Sequence, residues 1–177
     1  MKPTRIKGRI WVLTGPDGQM YNDVDTDMIF HNRHLHITSL AEMGPYALGN
    51  LRGWEDFAGK ARPGDILLAG ANFGAGSSRQ QAVDCFRALG IAALIAESFG
   101  AIYKRNAINS GFPILTLPEL SRMAGEFANG DELEVDFATG RLVLNGVKEY
   151  QAEPFSRVQM DIYQAGDLFA YGKTLGE

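Results

Sequence analysis

Cysteine is nearly missing from this chain: Cys85 stands alone among 177 residues. One thiol cannot build an internal disulfide framework, nor hold an iron–sulfur cluster by itself, since such clusters take several thiolates. Long apolar runs are missing as well. Lys2, Arg5, Lys7 and Arg9 are followed only by Ile10-Trp11-Val12-Leu13, too short for a signal-peptide core or a membrane span. A cytoplasmic protein without a membrane partner is expected. Nor is there an excess of positive charge: 17 Lys and Arg against 21 Asp and Glu give a net charge of −4. No basic cluster is interleaved with aromatics, which argues against a nucleic-acid surface.

What is present is enough for one cored domain. With 45% hydrophobic residues, the length suits a single unit over residues 1–177 and is too short for two ordinary ones. A strand is expected over Ile6 to Leu13, closed by a turn at Gly15-Pro16-Asp17-Gly18. Residues 40–64, rich in glycine and proline, read as loop with short helical pieces and room for a mobile flap. Strand and helix then alternate over 65–69, 79–89, 91–96 and 99–109, and a short strand lies within 111–115. That pattern favours a parallel sheet flanked by helices. Glu119 to Phe127 reads as a further helix, and Glu132 to Leu144 as a β-hairpin turning at Ala138-Thr139-Gly140. Cys85 shares a helix face with Ala82 and Leu89, the place of a small core residue.

The stretch with most chemistry is Gly70-Ala71-Asn72-Phe73-Gly74-Ala75-Gly76-Ser77-Ser78-Arg79, between an apolar strand and a helix. Glycines let backbone N–H groups approach a ligand, a helix N-terminus favours anions, and Arg79 offers a planar fork suited to a carboxylate. No lysine follows Gly76, so this is not a nucleotide-binding P-loop. Arg79 stands where a dinucleotide fingerprint needs its third glycine. Two readings remain on the residues alone: an anion site, or a serine that merely caps the helix.

Two further clusters stand out. Asp23-Val24-Asp25-Thr26-Asp27 places three acids at alternate positions, but Met28 occupies the place of the glycine that a calcium loop requires. A capping turn is the bland alternative. All three histidines lie in His31-Asn32-Arg33-His34-Leu35-His36. They show no fourth ligand for zinc, so no metal is assigned to this chain.

The glycine–serine motif resembles the signature of the swivelling domain of the aconitase superfamily, which in the isopropylmalate isomerase branch is a separate small subunit. The resemblance extends through Asp23 to Ile29 and through Ala93 to Pro113, and covers roughly residues 5–170. It implies an α/β fold of the aconitase swivelling type, with a mostly parallel sheet, flanking helices and an added β-hairpin. It also implies a hydro-lyase that dehydrates and rehydrates a hydroxy di- or tricarboxylic acid, most simply isopropylmalate in leucine biosynthesis. Homoaconitate, citramalate and dimethylmalate are alternatives, as is a non-catalytic anion-binding module. By resemblance Ser77 is the base and Asp27 the active-site aspartate. Gly76, Ser78 and Arg79 bind substrate, and Leu35 and His36 contact its variable side group. The [4Fe–4S] cluster then belongs to a large-subunit partner, consistent with the missing cysteines. The chain departs from the family in His34-Leu35-His36, and in Gln80-Gln81 where Glu-His is usual.

Overall fold

A computed structural model describes residues 1–176. Seven strands form one sheet in the order β4-β3-β2-β1-β5-β6-β7. They are β1 (Arg5–Val12), β2 (Ile66–Ala69), β3 (Ala93–Ala96), β4 (Ile114–Thr116), β5 (Glu132–Asp136), β6 (Arg141–Leu144) and β7 (Lys148–Gln151). The α-helices are α1 (Thr26–Ile29), α2 (Leu40–Met43), α3 (Phe57–Lys60), α4 (Gln81–Ala88), α5 (Ala101–Asn109), α6 (Arg157–Ala165) and α7 (Leu168–Thr174).

Strand β1 divides the sheet. Its second half pairs in parallel with β2 from Ile10↔Ile66 to Val12↔Leu68, and β3 and β4 extend that parallel side. Its first half pairs antiparallel with β5, from Arg5↔Asp136 to Arg9↔Glu132. The expected hairpin is β5–β6, lengthened by β7, so one half of the sheet is a parallel α/β unit and the other an antiparallel meander. Asn145 and Gly146, both at positive φ, make the extra turn. At Gly8 a Cβ would lie 2.1 Å from the Gly64 carbonyl oxygen, so only glycine lets the strand pass.

Period-two alternation feeds two cores. Leu67, Ala69, Leu94 and Ala96 face one, with Val83, Cys85 and Phe86 of α4 and Tyr103 of α5. Ile66, Leu68, Ala93 and Ile95 face the other, with Leu133, Val135, Leu142 and Tyr163. Buried on both faces, β2 and β3 therefore read as unbroken apolar runs. Cys85 and Ala82 are fully buried, as expected for the core.

Two expectations change. Leu120–Glu126 is a 3₁₀-helix, not an α-helix, and Glu119 before it has φ +65°. Leu117, Leu120 and Met123 pack on the second core at a spacing of three residues, the period of a 3₁₀ turn. Residues 40–64 contain the short helical pieces but not a loose flap. Met43, Leu48, Leu51, Trp54 and Phe57 are buried in the first core, and the Trp54 indole donates to the Thr14 carbonyl at 2.9 Å. So many buried apolar contacts fix the segment in place.

Candidate active site

The aspartate loop and the glycine loop lie side by side. Gly74 N donates to Val24 O at 2.7 Å and Thr26 N to Ala75 O at 2.9 Å, and the Thr26 hydroxyl donates to Ser77 O at 3.0 Å. Positive φ recurs at Asn72 (+54°), Gly74 (+79°) and Gly76 (+94°). Gly74 is required for space as well: a Cβ there would sit 2.2 Å from Cγ of Tyr103. Tyr103 is fully buried and donates to Ala82 O at 3.0 Å, tying α5 to α4 beneath the loop.

The three acids do three different jobs. Asp23, itself at φ +56°, accepts from the Asn72 side chain at 2.9 Å. Asp25 caps α1, accepting from Met28 N at 2.8 Å. Asp27 alone faces the arginine, its Oδ1 accepting from Arg79 Nη1 at 3.0 Å and from Asn32 N at 2.8 Å. Burial pushes the Asp27 carboxyl up, but hydrogen bonds from Arg79 and Asn32 and the charges of His31 and Arg79 outweigh it and hold the group below the usual range. Arg79 Nη1 also donates to Phe30 O at 2.7 Å. Among the described residues, Nε and Nη2 of Arg79 have no such partner.

The serines do not cap the helix. Gln80 occupies the cap position of α4 and makes no side-chain cap bond, so Ser77 and Ser78 precede the helix, and both are exposed. The sequence places the helix start too early because Gly76 and the serines satisfy a cap pattern that the chain does not use. Ser78 Oγ accepts from Asn106 Nδ2 at 3.1 Å. The Ser77 hydroxyl has no hydrogen-bond partner among the described residues. Gly76 is exposed, and the nearest atom to a Cβ there would be Thr26 Oγ1, 3.7 Å away.

The histidine segment is a short 3₁₀-helix, Asn32–His34, capped by His31 Nδ1 accepting from Arg33 N at 3.1 Å. His34 stacks on Tyr46, with ring centroids 4.0 Å apart. Burial, with the charges of Arg33, His31 and His36, lowers its pKa. His36 is exposed, with Nδ1 3.1 Å from Arg33 O. Leu35 is exposed, and its carbonyl accepts from Gln81 Nε2 at 3.4 Å. Among the described residues no group of three His, Cys, Asp or Glu side chains is arranged to hold a metal ion.

Two asparagines of the site were missed. Asn50 Nδ2 donates to Asp27 O at 3.2 Å and Oδ2 at 3.3 Å, although Gly49-Asn50 reads only as a turn signal. Asn106 carried no signal of its own beyond lying inside the resembling stretch.

Comparison with known proteins places this geometry in context. A match to the Aconitase C-terminal domain family spans residues 55–120. The 3-isopropylmalate dehydratase small subunit of Aquifex aeolicus is 39% identical over 96% of this chain and 95% of its own. The methanogen homoaconitase small subunit of Methanothermobacter thermautotrophicus is 37% identical over 96% and 92%. The crystal structure of 3-isopropylmalate dehydratase from Methanocaldococcus jannaschii superposes with a TM-score of 0.82 at 34% identity, covering 97% of this chain and 95% of that one.

Proposed function

The chain belongs to the family of 3-isopropylmalate dehydratase small subunits, hydro-lyase components of the aconitase type, and from that premise we propose that it supplies the proton-abstracting and carboxylate-binding half of a two-subunit active site. The substrate is a hydroxy di- or tricarboxylic acid, most simply isopropylmalate on the route to leucine. The observation that carries the reading is the constrained serine loop. Ser77, Ser78 and Arg79 follow one another on the stretch between Gly76 and α4, and Arg79 is held against Asp27 at 3.0 Å.

The chain's own donors do not suit an iron–sulfur cluster. Its single thiol is fully buried, burial pushes its pKa up, and a cluster takes several thiolates. The cluster, which supplies a Lewis acid for the departing hydroxyl, is assigned to the large-subunit partner.

In this chain Ser77 takes the proton from the carbon next to a substrate carboxylate. An alkoxide at Ser77 needs a positive surrounding, for which this chain offers Arg79 and the backbone N–H groups that follow Gly74. Ser78, Gly76 and the remaining nitrogens of Arg79 bind that carboxylate. Its charge grows as the proton leaves, so the bond from the Arg79 guanidinium strengthens in the transition state. Asp27 keeps Arg79 in place, and Leu35 and His36 meet the variable side group. The location implied is the cytoplasm, whose reducing conditions suit a partner with free thiolates.

The homoaconitase small subunit among the relatives, at 37% identity, favours a second reading with a longer tricarboxylic acid as substrate. Anaerobic reconstitution with the large subunit, assayed on isopropylmalate, homoaconitate, citramalate and dimethylmalate, tests both. Turnover of isopropylmalate by the complex and none by either chain alone is the expected result. Turnover by this chain alone overturns the division of labour.

A further inference from the structure

Helix α5 grips the serine loop at two points. Asn106 Nδ2 donates to Ser78 Oγ at 3.1 Å. One helical turn further on, Ser110 Oγ accepts from Gln80 Nε2 at 2.7 Å and donates back to Asn106 O at 2.7 Å. Asn106 and Ser110 stand four positions apart on α5, about 6 Å of helix rise, and Ser78 and Gln80 stand two apart on the segment facing them. The pairs Ser78–Asn106 and Gln80–Ser110 are therefore rungs of one ladder. Gln80 also donates to Asp84 Oδ1 at 3.2 Å, and Asp84 accepts from Arg87 Nη1 at 2.8 Å. A glutamate at position 80 could only accept, so the glutamine found here is what allows both donations.

The rungs have a direction. A hydroxyl has one proton and two acceptor positions, while an amide nitrogen only donates. With Asn106 filling one acceptor position of Ser78, the Ser78 proton cannot point at that amide and is turned away from α5. Helix α5 does not yield, because Tyr103 and Ala107 are fully buried. We propose that Asn106 is a positioning residue, which presents the Ser78 hydroxyl as a hydrogen-bond donor to the substrate carboxylate. This rests on the reading of Ser78 as a substrate-binding residue. In this role Asn106 acts on binding through Ser78.

The test uses the complex reconstituted with the large subunit, and the kinetics of Ser78→Ala, Asn106→Ala, Asn106→Asp and the double variant Ser78→Ala with Asn106→Ala. A hydrogen bond to a charged group carries enough energy for Ser78→Ala to raise KM about tenfold. Asn106→Ala is expected to raise KM about threefold or more while kcat stays within about twofold, since only binding is disturbed. Asn106→Asp, which can only accept and adds negative charge, raises KM further than Asn106→Ala. In the Ser78→Ala background, Asn106→Ala adds less than about 1.5-fold, because the two side chains act as one unit. An equal effect of Asn106→Ala in both backgrounds overturns the proposal and marks a packing role. A raised KM in Ser78→Ala with unchanged KM in both Asn106 variants overturns it while sparing the reading of Ser78. An unchanged KM in Ser78→Ala overturns both. Melting temperatures measured alongside identify any variant that fails to fold, and for that variant the isosteric Asn106→Asp carries the test.

Discussion

Arg79 and Asp27, 52 residues apart in sequence, are joined by a 3.0 Å hydrogen-bonded ion pair in which the arginine side chain is 11% exposed and the aspartate 41%. The pair links the glycine–serine loop to the aspartate loop. It also means that Arg79 already holds one carboxylate of its own chain through a single nitrogen, which leaves the rest of its fork for the substrate carboxylate proposed above.

Asp27→Asn therefore weakens the fold at neutral pH, by about 1 kcal/mol given how exposed the carboxylate is. The folded-state pKa of Asp27 lies below its ordinary value of 3.8. Its contribution is thus fully present above that value and is lost as the pH falls through the lowered one. The difference in melting temperature between the parent chain and Asp27→Asn is expected to shrink as the pH is taken below 3.8. A gap that stays constant into acid shows that the ion pair is not its source.

Ser77→Ala removes an exposed hydroxyl with no internal partner among the described residues. Stability is expected to stay within about 0.5 kcal/mol, as for most surface substitutions. Turnover of the reconstituted complex falls about a hundredfold or more, the size of a lost proton-transfer group. Steady-state kinetics beside a thermal melt separates the two effects, and near-normal turnover removes Ser77 from the base role.

The two glycines of the loop differ in what they protect. Gly74→Ala meets the Tyr103 ring at 2.2 Å and also needs φ +79°, and a buried ring gives way poorly. A loss of about 3 kcal/mol or more is expected. Gly76→Ala has no atom closer than 3.7 Å and suffers only the strain of φ +94°, on the order of 1–2 kcal/mol. Urea unfolding midpoints rank the two, and the reverse order contradicts the packing described here.

His36 is exposed on the loop assigned to the variable side group, and its variants are expected to redirect specificity more than they reduce chemistry. His36→Arg offers a permanent partner to a distal carboxylate, while His36→Val offers only apolar contact. The ratio of kcat/KM for isopropylmalate over homoaconitate is expected to fall in the first complex and rise in the second. Ratios within about twofold of the parent in both, less than roughly 0.5 kcal/mol, remove the loop from specificity.

Much of this was legible in the chain itself. The short apolar runs of β2 and β3 read as strands, and the alternation of strand and helix favours a parallel unit. The single thiol on an apolar helix face reads as a core residue, and Cys85 is fully buried. The motif from Gly70 to Arg79 marked the site because glycines at positive φ and adjacent serines are a local pattern, readable without knowing what lies opposite.

What lies opposite was decided by the tertiary structure alone. The sequence allows Ser77 or Ser78 to cap a helix, Asp23, Asp25 and Asp27 to act together, and Glu119 to Phe127 to form an α-helix. In the fold Thr26 holds the Ser77 carbonyl and Asn106 the Ser78 hydroxyl, Arg79 pairs with Asp27 among the three acids, and Leu117, Leu120 and Met123 pack on the second core three residues apart. A hydrogen bond forms between groups that the fold brings within about 3 Å. Sequence patterns report only neighbours along the chain, so the pairs Asp27–Arg79 and Ser78–Asn106 became visible only once the sheet had set their loops side by side.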